Sequence, residues 1–329
     1  MKLTKRSATV AAEQKIGANG TPATRDLTES ETHSAPSVAA AVEAPVATSV
    51  ARPRVARRLT RPSDDCEREG LLKGKKALVF GVANDHSIAW GIAKALYDQG
   101  AEVGFSSMAS LIKRRVRPLA ASIGSTFVEG ADVRDDDEIR KVFERWHAKE
   151  GDLDILVHAV AYAEREDLDG HFTDISRAGF HTAFDISVYS LIAMAREARP
   201  YMKPGSSIMT MTYYAAEKVV PNYNVMGVAK AALEATTRYL AADLGPSGIR
   251  VNAISAGPVR TLSAHGIAGF RTMYGGFKDV TPLRSHISIE DVGNTAVYLA
   301  SPLSSQTTGE VIYVDGGFNI LALPVAGEE

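Results

Sequence analysis

The sequence predicts an α/β domain built on a doubly wound parallel sheet, and three observations predict it. Short, nearly continuous apolar runs recur from Leu71 onward, as in strands buried on both faces. Amphipathic helical patterns separate these runs, giving the strand–helix alternation of a parallel sheet covered on both sides. Glycines (Gly81, Gly100, Gly124) stand where the first strand would turn and where helices would stop.

The elements follow in chain order. Lys76–Gly81 (KALVFG) reads as the first strand, and Ser87–Gln99 as a helix with Ile88, Ile92 and Leu96 on one face. Ala101–Ser107 is the second strand. Leu111–Ile123 is a helix with Pro118 in its middle, and Ser125–Glu129 is the third strand. One of Asp135, Asp136 and Asp137 caps a helix that turns Ile139, Phe143 and Trp146 to one side. Leu153–Ala159, Ser207–Thr212, Ile249–Ser255 and Glu310–Val314 complete seven strands, with a long helical segment expected over Arg177–Met202. No internal repeat is visible. Residues 71–329 therefore read as one domain.

Residues 1–70 differ in kind. They hold no Phe, Tyr or Trp, the first aromatic being Phe80, and they are rich in Ala, Ser, Thr and Pro. Such a composition cannot bury enough surface to offset the entropy of ordering, so a disordered extension is expected. Glu13, Gln14 and Lys15 interrupt any secretory apolar run, and Glu13, Asp26, Glu29, Glu31 and Glu43 together are more acid than a transit peptide carries. A passive extension is favoured over a targeting signal, which the arginines between 52 and 61 keep open. The 37 basic and 39 acidic residues give no basis for a nucleic-acid partner. No apolar run approaches the roughly 20 residues of a membrane span. A lone Cys66 and eight histidines without ligand spacing argue for a reducing, cytoplasmic setting and no metal centre.

In a doubly wound sheet, ligands bind beyond the carboxyl ends of the strands, where strand order reverses. The first strand leads into Gly81-Val-Ala-Asn-Asp-His-Ser87-Ile88-Ala-Trp-Gly91. Gly81 permits the tight turn, Ser87 can cap the following helix, and Gly91 lets that helix pack closely on the sheet. The free N–H groups at such a helix start hold a pyrophosphate. The loop lacks full G-x-G-x-x-G spacing, so alone it does not separate a phosphate cradle from an ordinary strand–turn–helix. Asp132-Val133, after the third strand, could hold an adenine ring. Phe105-Ser-Ser-Met108 ends the second strand with neither an acid for a ribose nor an arginine for a 2′-phosphate. Lys113, Arg114 and Arg115 read as a solvated helix face. NADH is favoured over NADPH.

The stretch Thr210-Met-Thr-Tyr213-Tyr214-Ala-Ala-Glu-Lys-Val-Val-Pro221-Asn-Tyr223-Asn-Val-Met226-Gly227-Val-Ala-Lys230 places a tyrosine seven residues before a lysine. Most short-chain dehydrogenases use a four-residue offset, where this chain has Met226. With the Gly81–Gly91 loop, Asp185-Ile-Ser-Val-Tyr-Ser190, Ser255-Ala-Gly-Pro-Val-Arg-Thr261 and Asp315-Gly-Gly-Phe318, the stretch resembles the NADH-dependent enoyl-acyl-carrier-protein reductases. These are a divergent branch of the short-chain dehydrogenases, and the resemblance runs from residue 71 to about 322. The offset has a chemical reason. Reducing an enoyl thioester puts hydride on the β-carbon and negative charge on the thioester oxygen, so the donor must reach further along the conjugated system. A shift of about one turn supplies that reach while leaving Tyr223 and Lys230 on one face.

The resemblance implies Tyr223 as donor to the enolate oxygen, Lys230 on the nicotinamide ribose, and Tyr213 as a wall shielding the reacting carbons. It implies Val259 and Thr261 beside the cofactor and a mobile loop from Pro258 to Phe270, whose Ile267 and Phe270 meet an acyl chain. Met226 either lines that pocket or fills core. Ala161-Tyr162 stands where the family carries glycine and an aromatic, so Ala161 narrows the cofactor side and Tyr162 faces substrate. Met108 replaces a more polar residue near the adenosine. Acyl carrier protein is the implied partner, although Arg271, Lys278 and Arg284 make a thin basic patch for so acidic a protein. A homotetramer is implied too, with Arg177–Met202 and the last strand as interfaces. Two alternatives stand beside this reading. One is a related short-chain reductase for another enoyl or carbonyl substrate. The other is a silent NAD(H)-binding regulator, against which the retained Tyr213, Tyr223 and Lys230 argue.

Overall fold

The computed structural model describes residues 70–262 and 264–322, so the expectation for residues 1–69 lies outside the described part. Seven parallel strands form one sheet in the order β3-β2-β1-β4-β5-β6-β7. They are β1 (Lys76–Phe80), β2 (Glu102–Ser107), β3 (Val128–Gly130), β4 (Leu153–His158), β5 (Met202–Thr212), β6 (Arg250–Ala256) and β7 (Val311–Val314). This is the doubly wound, Rossmann-like sheet that the alternation predicts. The order reverses between β1 and β4, whose register pairs Phe80 with His158 at the carboxyl end.

The helices are α1 (Ile88–Asp98), α2 (Ala109–Leu111), α3 (Arg117–Ser122), α4 (Asp136–Glu150), α5 (Arg177–Phe184), α6 (Ser190–Ala198), α7 (Asn224–Leu244), α8 (Phe270–Val280) and α9 (Ile289–Ala300). Side chains of a strand alternate between sheet faces, and β1 displays this directly. Ala77 and Val79 join a core with residues of α1 and α9, whereas Leu78 and Phe80 join one with residues of α4, α6 and α7. Both faces are buried because both are covered, which is why the strands read as continuous apolar runs.

Four expectations need correction. Gly91 does not serve helix-on-sheet packing: a Cβ there would stand 2.5 Å from the Ile289 carbonyl oxygen, so the glycine lets α1 cross α9. Gly293 answers it from α9, with the Gly91 carbonyl 2.7 Å from where its Cβ would be. The segment 177–202 is interrupted by a π-helical turn at Asp185–Tyr189, and Met202 already belongs to β5. β3 is shorter than the apolar pattern, because Phe127 contributes only its carbonyl, to Phe105 N at 2.9 Å. Across 109–122, a π-helical turn at Ile112–Val116 precedes Pro118, which then sits in the first turn of α3, where its missing N–H costs nothing. Of the three candidate caps before α4, Asp135 is the one used, accepting from Asp137 N and Glu138 N.

Candidate active site

The site lies beyond the carboxyl ends of β1, β4 and β5. Gly81 has φ 100°, and a Cβ on it would stand 2.1 Å from the Ala159 carbonyl oxygen, so only glycine lets β1 and β4 close up at the reversal point. Ser87 occupies the N-cap position of α1 but does not cap it; its hydroxyl donates to the Asn84 carbonyl at 2.6 Å. The start of α1 therefore keeps N–H groups that no side chain caps and carries no acid in its first turn, an arrangement that suits an anion. Ile88, one residue on, packs half-buried against the core. A pyrophosphate fits this cradle of glycine turn and open helix start.

The adenosine side is less as expected. Met108 is 63 % exposed at the end of β2. The Asp132 carboxylate is engaged by Arg134 at 2.6 Å, and that hydrogen bond holds it below the usual carboxylate range. Its backbone N–H donates to Glu138, while Val133 packs against the core. Ala161 is exposed just past β4, and Tyr162 is 46 % exposed, with its hydroxyl donating to Glu164 at 2.9 Å.

The catalytic candidates come together from β5 and α7. Tyr213 follows β5, and Tyr223 is the N-cap residue of α7, one position outside the helix proper. Their rings meet edge to face at 5.2 Å and 76°. Lys230, two turns into α7, is 5 % exposed and donates from Nζ to the Met211 carbonyl at 2.7 Å. Loss of water lowers its ammonium to about 8, a fall opposed by Glu234. Burial pushes the Tyr213 hydroxyl up to about 12, and raises Tyr223 too, with the neighbouring Tyr213 adding to the rise. Both phenols are thus proton-bearing donors at neutral pH.

Met226 is 5 % exposed within the core that Tyr223 packs on. Val259 is buried, and the Thr261 hydroxyl accepts from Ala264 N at 3.1 Å. Ile267 is half-buried; Phe270 is 6 % exposed and opens α8, its ring 5.9 Å from Tyr274. Arg260 lies over the other part of this patch, its guanidinium 4.4 Å from the Tyr274 ring centre.

Two buried polar residues escaped the sequence reading. Glu234, 7 % exposed, accepts from the Thr212 hydroxyl at 2.7 Å, and burial raises its carboxyl. Its position four residues after Lys230 was the available signal. His158 closes β4 with Nδ1 2.8 Å from Thr210 Oγ1 and Nε2 2.8 Å from Ser190 Oγ. Ser190 gives its own proton to the Ile186 carbonyl at 2.7 Å, so Nε2 carries the imidazole proton and Nδ1 accepts from Thr210. Within LVHA nothing marked it as other than a strand residue. A cavity of about 390 Å³ opens at the opposite, amino end of the sheet, among Tyr97, Gly104, Phe127 and Trp146, and contains none of the predicted site residues.

The chain is similar to known proteins over most of its length. The family model described as enoyl-(acyl carrier protein) reductase matches residues 81–319. The enoyl-acyl-carrier-protein reductase (NADH) 1 of Rhizobium meliloti (strain 1021) is 50 % identical over 257 residues, covering 78 % of this chain and 94 % of that protein. The crystal structure of the Aquifex aeolicus VF5 enoyl-acyl-carrier-protein reductase (NADH) superposes with a TM-score of 0.75 at 49 % identity, covering 77 % of this chain and all of that one. That of the Bacillus cereus enoyl-acyl carrier protein reductase, with NADP+ and indole naphthyridinone, superposes at 0.76 with 48 % identity, covering 77 % of this chain and 100 % of that one. With the reversed strand order, the glycine turn and the seven-residue spacing from Tyr223 to Lys230 already in place, this chain belongs to the enoyl-acyl-carrier-protein reductase family.

Proposed function

We propose that this protein reduces the trans-2 double bond of enoyl thioesters on acyl carrier protein, with NADH, in fatty acid synthesis. The observation that carries this is the placement of Tyr223 at the head of α7, against Tyr213 and two turns before buried Lys230. NADH, when bound, would supply a hydride to the β-carbon of the substrate, the saturated thioester being completed by a proton taken up at the α-carbon. Tyr223 then meets the charge that develops on the thioester oxygen, as a preorganised donor that burial keeps protonated. Tyr213 walls the reacting carbons from water. Lys230 holds the ribose hydroxyls and sets positive charge beside the site.

Gly81, Ser87 and Ile88 form the pyrophosphate turn. Asp132 and Val133 border the adenine, Met108 the adenosine, and Ala161, Val259 and Thr261 the nicotinamide side. Tyr162, Met226, Ile267 and Phe270 face the acyl chain. Soft, polarizable Met226 can serve both that wall and the core behind it.

The chain works in the cytoplasm, and no helix among the described residues is long and apolar enough to cross a membrane. It assembles as a homotetramer, a reading supported by exposed Phe180, Tyr189 and Ile192 on the segment 177–202.

The test is NADH consumption with a trans-2-enoyl thioester, on acyl carrier protein and on coenzyme A, beside a 3-oxoacyl thioester. Rapid oxidation with the enoyl substrate alone is expected, faster on the carrier protein. Turnover only with the oxo substrate would sink the enolate argument. A parallel KM comparison with NADPH is expected to favour NADH.

A further inference from the structure

Tyr223 is bracketed by two asparagines, and each ties down a different loop. Asn222 Nδ2 donates to the Ala268 carbonyl at 2.9 Å, inside the loop that runs from Pro258 to Phe270. Asn224 Nδ2 donates to the carbonyls of Asp169 and Gly170, both at 3.2 Å, in the loop that follows β4. Asn222 does this from the left-handed backbone region, at φ 61°, which asparagine tolerates better than most residues. The acceptor loop is shaped to match. Gly269, next to the accepting carbonyl, has φ 74° and lies close enough that a Cβ would sit 3.6 Å from Asn222 Nδ2. A further contact runs in the same direction, from the Tyr213 hydroxyl to Met273 Sδ on α8 at 3.8 Å.

We propose that Asn222 is a positioning residue that holds this loop over Tyr223 as a lid. This rests on the reading of Tyr223 as the oxyanion donor. Its side-chain amide is a neutral donor already placed on the tyrosine-bearing turn and aimed at the loop. Aspartate would turn a negative oxygen toward the Ala268 carbonyl, and glycine would keep the backbone and lose the tether. A closed lid keeps the acyl chain against Ile267 and Phe270 and keeps water from the developing charge. One neutral hydrogen bond shifts such a closure equilibrium by about 3- to 10-fold.

The experiment is paired. Trypsin cleavage is followed at two exposed arginines, Arg260 near the start of the lid and Arg271 just after its end, in the wild type, Asn222→Gly, Asn222→Asp and Asn224→Ala. Steady-state kinetics with an enoyl thioester are measured on the same preparations. Asn222→Gly and Asn222→Asp should be cleaved about 3- to 10-fold faster at those two sites, and KM for the enoyl substrate should rise by about the same factor while kcat falls less. Asn224→Ala, which frees the other loop, should leave cleavage at those sites at the wild-type rate. Equal cleavage of Asn222→Gly and wild type would overturn the tether, as would equal acceleration by Asn224→Ala. Faster cleavage with unchanged KM would overturn the positioning role. If the wild type itself turns over no enoyl thioester, the functional reading fails, and the cleavage rates still decide whether Asn222 holds the loop.

Discussion

Burial is the common cause behind the chemistry of Tyr223 and Lys230, and it moves them in opposite senses. It favours the neutral form of each, so the phenol keeps its proton over a wider pH range while the ammonium surrenders its own at about 8. Tyr223→Phe removes one oxyanion donor and should lower kcat by about 10²- to 10³-fold, read in a single-turnover assay at saturating NADH. Lys230→Ala should lower turnover and weaken NADH binding; unchanged kinetics in both variants would refute the pair. The sign of the pH effect on cofactor binding follows from the depressed lysine. In the free protein Lys230 is charged below about 8 and neutral above it, so NADH affinity should fall as pH rises through that value. Glu234 supports the charged form, so Glu234→Gln should move the loss to lower pH. Fluorescence titration of NADH across pH 6.5 to 9.5 measures both, and a flat wild-type profile would contradict the assignment of Lys230 to the cofactor.

At the level of elements, two features fix how the strands present the site. His158 bridges β4, β5 and the start of α6 through Thr210 and Ser190, and burial depresses its pKa to about 3. The unfolded chain carries this histidine with an ordinary value of 6.5, so below that pH the unfolded state binds the extra proton. The stabilisation from burying it neutral is therefore complete above 6.5 and lost as pH falls toward 3, at up to about 1.4 kcal/mol per pH unit. Replacement by glutamine should flatten this part of the pH–stability curve in urea melts. The other feature is the α1–α9 crossing. Gly91→Ala forces a methyl against the Ile289 backbone, where a Cβ would be only 2.5 Å from the carbonyl oxygen. Overpacking of this kind costs about 1–3 kcal/mol, or roughly 2–12 °C in melting temperature for a domain of this size. A variant melting like the wild type would show that the helices can slide apart freely.

At the scale of the whole molecule, one sheet reversal places the glycine turn of β1 beside the carboxyl ends of β4 and β5, so residues far apart in sequence converge. Apolar side chains remain outside this fold, among them Phe180 at 38 %, Ile192 at 39 %, Val228 at 39 % and Tyr239 at 81 % exposure, on α5, α6 and α7. Assembly through these helices predicts a light-scattering mass about four times the 35.2 kDa of one chain. Ile192→Glu should shift the population toward smaller species by burying an unpaired charge at the interface. A monomeric wild type would remove the tetramer.

The strands, the main helices and the spacing of the candidate residues Tyr213, Tyr223 and Lys230 were legible because each leaves a local mark. A two-face-buried strand must be apolar throughout, a helix must repeat its apolar face every turn, and a tyrosine seven residues before a lysine is a spacing, visible in Tyr223 and Lys230 without any contact map. Contact partners leave no such mark. That Gly91 serves α9 rather than the sheet, that Ser87 turns to Asn84, that Asp132 is taken by Arg134, and that His158 and Glu234 are buried polar anchors became decidable only once distant segments met. The sequence by itself determined the elements and which residues were candidates for the site, because periodicity and spacing are properties of neighbouring residues. Tertiary structure alone decided which hydrogen bonds are made and how far each titratable group is shifted, because both depend on what chain folding brings within a few ångströms and removes from water.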